Sequence, residues 1–138
     1  MELLSSAQIK EKVNELLNLI PKEENCTMPV CFNDFEARNT ETPLIEVGDK
    51  YHYKYYERGQ LTMDKATTDI NELLYWIMRS ATFRVACDYE LKHRVADVDC
   101  RRMIFAKEFE LFRYLGGDFE ERHKIYIDQI LKMAPYRD

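Results

Sequence analysis

The sequence predicts an α+β fold: an N-terminal helix, an antiparallel meander of three to four strands, then a bundle of about three helices packed on one sheet face. Three observations carry that expectation. Residues 44–65 read as short β-rich runs separated by Gly48-Asp49 and Glu57-Arg-Gly-Gln60. Residues 69–94 repeat Ile70, Leu73, Leu74, Ile77, Met78, Ala81, Val85 and Tyr89 at helical three- and four-residue steps. Helix breakers stand at Pro21, Gly116-Gly117 and Pro135, where the periodic runs end.

In chain order, Ser5 with Gln8 forms a capping box that opens a first helix. Its apolar face is Ile9, Val13, Leu16, Leu17 and Ile20. Residues 22–42 carry little periodicity beyond one short strand signal at Val30-Cys31-Phe32. Leu44–Val47 then leads through Gly48-Asp49, read as a tight two-residue turn, into Tyr51–Tyr56. Gly59 supplies a positive φ for the next turn, and Leu61–Lys65 alternates apolar and polar. Tyr51, Tyr53 and Tyr55 should share one face, with His52, Lys54 and Tyr56 on the other. Leu61 and Met63 should line the face that meets the central helix of a one-sided sheet.

That central helix takes Thr68 or Asp69 as its cap and Glu72 as the box partner. Trp76, Phe83 and Ala86 widen its apolar surface, as expected of a helix with several neighbours. Ser80 or Thr82 marks where it could bend. A further helix runs to Leu115 before the glycine pair, and Asp118 with Glu121 opens the last one. Without repeats or linkers, residues 1–138 read as a single domain.

Composition narrows the function. With 46% apolar and 33% charged residues the chain is of ordinary globular type, and no run of about eighteen apolar residues suggests a membrane span. The N-terminus is acidic rather than leader-like, so cytoplasmic residence is the expectation. Cys26, Cys31, Cys87 and Cys100 are expected to be reduced thiols, and the Cys26–Cys31 spacing is poor for zinc. From Glu23 to Asp49, seven acids stand against Arg38 alone, a local charge of −6 beside −5 for the whole chain. Such a stretch is either a solvated loop region or a surface that attracts a basic partner. Nucleic acid is not the expected ligand, because phosphate binding needs clustered Lys and Arg.

No reaction centre is legible. His52 lies in a tyrosine-rich strand, and neither an orienting carboxylate nor a pocket is evident beside it, so a sheet-surface role is preferred. His93 and His123 read as solvent-exposed helix residues. Metal-protease, phosphate-loop and nucleophile-elbow motifs are absent from the sequence. No cofactor or metal site is expected. Glu90, Arg94, Asp97, Asp99, Arg101 and Arg102 form a polar cluster. Its simplest reading is a brace at the corner between two helices, with Asp99 and Arg102 tying the second back to the first; its rival is an arginine-lined anion site.

Tyr51-His-Tyr, Glu57-Arg-Gly-Gln60, Thr67-Thr-Asp-Ile-Asn-Glu-Leu-Leu-Tyr-Trp76, Tyr89-Glu-Leu-x-x-Arg94 and Asp99-x-Arg-Arg-x-x-Phe105 together resemble the Imm63 family of bacterial immunity proteins. The resemblance runs from about Tyr51 to Pro135-Tyr-Arg-Asp138, with Cys100 and Lys107 as departures. It implies a non-enzyme that binds and neutralises the cognate toxin domain encoded beside it, a nuclease being one class of target. On that basis Asp34, Glu36, Glu41, Glu46 and Asp49, with Tyr51 or Tyr56 as aromatic anchors, form the expected toxin-facing surface. Trp76, Glu90, Arg94, Asp99 and Arg102 are expected to be scaffold. A homodimer is left open. The alternatives are a domain that binds a small molecule or anion and, last, an enzyme using His52.

Overall fold

A computed structural model describes residues 2–138. Five α-helices and one three-stranded sheet form in the order α1 (Ser6–Leu17), α2 (Asp34–Thr40), β1 (Leu44–Val47), β2 (Tyr51–Glu57), β3 (Gln60–Thr67), α3 (Ile70–Lys92), α4 (Cys100–Leu115) and α5 (Phe119–Met133). This is the expected α+β class. The chain falls into two compact units, Met1–Leu17 with Thr27–Met78, and Asn18–Cys26 with Arg79–Asp138.

The first unit holds α1, α2, the sheet and the opening of α3. The Ser5–Gln8 box is present, with Gln8 N donating to Ser5 Oγ (3.2 Å) and Ser5 N donating to Gln8 Oε1 (2.8 Å). The sheet is an antiparallel meander, β1-β2-β3. Val47 pairs with Tyr51, so the first turn has three residues, Gly48–Lys50, not the expected two. Arg58 (φ +53°) and Gly59 (φ +79°) make the second turn, the double positive-φ geometry that suits a tight hairpin.

Two expectations about the sheet are corrected. Leu61 opposes Tyr56 while Met63 opposes Tyr55, so Thr62 is an extra residue in the ladder. The bulge breaks the two-residue alternation and sends Leu61 and Met63 to opposite faces, leaving Leu61 48% exposed. Nor is the sheet one-sided. Leu44 and Ile45 are adjacent and point to opposite faces, yet both are fully buried. Leu44 packs with Cys31, Tyr56 and Ala37 of α2, an element that covers the face expected to be bare.

Asp69 caps α3, its carboxylate accepting from Asn71 N at 2.9 Å. The helix runs unbroken for 23 residues; Thr82, a suggested bend point, is buried with its hydroxyl donating to Arg79 O. Leu73, Leu74, Ile77 and Met78 are buried in the first unit, Ala81 and Ala86 in the second, and Phe83 is exposed.

In the second unit Ala86, Ile104, Phe105 and Ile127 form a core shared by α3, α4 and α5. Asp99 caps α4 through Arg101 N (3.0 Å), and Gly116 ends it at φ +69°. The Asp118–Glu121 box does not form: Asp118 makes no side-chain cap and instead accepts from Arg122 Nε at 2.8 Å. Among the described residues no helix is long and apolar enough to cross a membrane.

Candidate partner-binding surface

The acidic stretch divides between the units. Glu23 and Glu24 belong to the second, where Glu24 takes a hydrogen bond from Lys107 Nζ at 2.8 Å. Lys107 is 93% buried; although burial opposes its charge, Glu24 and Glu110 together hold the ammonium pKa above its ordinary value. Burial, with Glu24 close by, pushes the Cys26 thiol up to about 11, so it is a protonated thiol at neutral pH.

The remaining acids lie in the first unit, around an element the sequence reading missed. Asn33 caps α2 through Oδ1, accepting from Glu36 N at 2.7 Å. The helix ends at Glu41 in the left-handed region. Asp34 pairs with Arg38 Nε at 2.7 Å, and that carboxylate raises the guanidinium pKa further. Arg38 also donates to Tyr56 Oη (3.2 Å) and Gly59 O (3.4 Å), with its Cζ 4.3 Å from the Tyr56 ring centroid. Glu41 accepts from Arg58 N at 2.8 Å. Helix α2 thus clasps the β2–β3 turn at two points.

Glu46 bonds Lys54 Nζ at 2.6 Å and holds the ammonium above its ordinary value. Asp34 and Glu46 are therefore neutralised by neighbours, while Glu36, Glu41 and Asp49 have no ion pair among the described residues. The surface is less acidic than its composition suggests, because the compensating Lys54 comes from outside the acidic stretch.

Neither expected aromatic anchor is available. Tyr51 is 2% exposed and its hydroxyl accepts from Leu4 N at 2.8 Å. Tyr56 is 6% exposed, closed in by Ala37 and Arg38. The exposed ring here is Phe35, at 79%, between Asp34 and Glu36 on α2. An Asn33–Glu36 capping signature was the one sequence clue to that helix.

His52 does have an orienting carboxylate: its Nδ1 lies 2.9 Å from Asp64 Oδ1 across β2 and β3. An open depression of about 420 Å³ lies beside it, lined by Ser6, Phe32, Glu46, Gly48, His52 and Lys54.

The motif cluster resolves into separate pairs. Trp76 lies in the first unit, with Lys65 Nζ 4.5 Å from its ring and Tyr53 edge-on at 6.4 Å. In the second unit Arg94 makes two bonds to the buried Glu90, at 2.8 and 3.1 Å, and lowers that carboxyl's pKa. Asp99 does not pair with the Arg102 side chain. It takes Arg101 Nη2 at 2.8 Å and Arg137 N at 3.1 Å, which hold it well below the usual carboxylate range. Arg102 bonds Asp138 at 2.8 Å with its Cζ 4.0 Å from the Tyr136 ring. Arg101 and Arg102 thus fasten the C-terminal segment to α4, and Arg94, Arg101 and Arg102 are each paired with a carboxylate.

His123 is buried, not solvent-exposed: Phe109 meets it edge-on, Phe112 lies tilted against it, and its Nε2 lies 3.3 Å from Glu108 Oε1. His93 lies over Tyr89, with Nδ1 2.8 Å from Tyr89 O at the end of α3.

These features define a small α+β protein whose polar side chains are largely spent on bracing its own elements and whose α2 displays an uncovered aromatic ring. The model of the family described as Imm63, Immunity protein 63, matches residues 48–129, and the chain belongs to that family. No curated protein and no solved structure matches the chain.

Proposed function

We propose that this chain acts in the cytoplasm as a single functional domain that binds a cognate secreted bacterial toxin and neutralises it by steric and electrostatic blocking, without turnover. The family match over residues 48–129 carries the reading. The toxin-facing surface lies in the first unit, around α2 and the β1–β2 turn, where Glu36, Glu41 and Asp49 make no ion pair among the described residues. A nuclease with a basic substrate cleft is the target class that such charge suits, because it speeds encounter and competes with nucleic acid. Asp34 and Glu46, already paired with Arg38 and Lys54, serve at the rim. In this reading the His52–Asp64 pair is a cross-strand brace, although it is also the feature that most favours the rival reading as an enzyme.

Co-expression with the toxin domain encoded next to this chain's gene tests the proposal. Restored growth supports it, and toxicity undiminished by well-expressed, folded chain contradicts it.

A further inference from the structure

We infer that Phe35 is the principal aromatic anchor of the partner interface, seating in an apolar pocket bordered by basic groups on the toxin. This rests on the function proposed above and deepens it.

A single exposed apolar side chain is ordinary on a protein surface. Phe35 differs in how it is held. Helix α2 has seven residues and buries only Ala37, so its own burial contributes little to its stability. It is fixed instead by polar ties: the Asn33 cap, Arg38 to Tyr56 and Gly59, and Glu41 to Arg58 N. Three ties on so short an element hold its backbone in place, and what it presents outward is a ring 79% exposed. An aromatic side chain on a pre-ordered support loses little freedom on binding, the condition under which one residue dominates an interface.

The chemistry of the occupant follows from the flanks. Glu36, beside the ring, has no ion pair among the described residues, and Glu41 at the end of α2 spends its carboxylate on a neutral N–H. A pocket rimmed with carboxylates would be repelled; one rimmed with Lys or Arg is complementary. Ile125, 58% exposed in the second unit beside Lys124, serves as the comparison position.

The test measures binding of purified toxin domain, encoded beside this chain's gene, to full-length wild type, Phe35→Ala, Phe35→Leu, Glu36→Lys and Ile125→Ala. Circular dichroism and melting curves should match wild type for all four, since each position is exposed. Phe35→Ala is expected to weaken Kd by about thirty-fold or more, as for an interface hot spot, with Phe35→Leu between it and wild type. Glu36→Lys should slow association at low salt, and Ile125→Ala should bind as wild type. Wild-type binding with Phe35→Ala unchanged overturns the inference and leaves the proposed function standing. Failure of wild type to bind overturns both.

Discussion

The guanidinium of Arg38 places its Cζ 4.3 Å from the Tyr56 ring centroid while donating to the same residue's hydroxyl. One side chain therefore joins α2 to the sheet and adds to the cover that Ala37 and Leu44 give this tyrosine.

Arg38→Ala should loosen α2 selectively. Amide exchange at residues 36–40 is expected to quicken by roughly an order of magnitude, because the short helix keeps only its cap and the Glu41 tie. Exchange in β1 and β2 should stay at the wild-type rate. Uniform protection across α2 would show that Arg38 is not what holds it.

Glu108 and His123 form a deeply buried polar pair, at 3% and 0% side-chain exposure. Removing Glu108 takes away the carboxylate that faces His123 Nε2, on a ring packed by Phe109, Phe112 and Tyr126. Glu108→Ala should cost about 3 kcal/mol in denaturant unfolding, while the Glu108→Leu/His123→Leu double variant should recover most of that loss. Equal destabilisation in the two would mean that the Glu108–His123 interaction itself stabilises the fold, since the leucines restore the volume but not the pairing.

Acid stability should depend on Asp99. Arg101 depresses its folded pKa, so the stabilisation is fully present above the unfolded value of about 3.9 and fades as pH falls toward the folded value. Glu90 and Asp138, lowered by Arg94 and Arg102, act in the same direction. Asp99→Asn keeps a capping oxygen but not the charge. Urea unfolding between pH 3 and pH 7 should show the variant less stable at pH 7, with the gap closing in acid. A gap of constant size would remove the carboxylate charge from the explanation.

Local pattern reached some elements and not others. Helix α3 was legible because 23 residues repeat one period, and α1 because its box lies within four residues. Helix α2 was not, since seven residues with one buried position leave no period to read. The Thr62 bulge broke the parity from which the faces of Leu61 and Met63 were inferred. Arg102 finds Asp138, 36 residues away, and His123 finds aromatic rings on α4; neither partner is visible in the neighbouring sequence. The acids of the candidate surface were legible as composition. Which of them are neutralised, and that Phe35 rather than Tyr51 or Tyr56 is exposed, depended on contacts made only in the folded chain.

Stoichiometry tests the central claim most directly. The toxin domain's own activity is measured after incubation with increasing amounts of purified chain, at concentrations far above Kd and for several incubation times. A protein that acts by occupying its target should give a sharp end point at a fixed molar ratio, unchanged by longer incubation and reversed when the complex is dissociated. Progressive loss of toxin activity at sub-stoichiometric chain, persisting after separation, would contradict the account and make the chain an enzyme acting on the toxin.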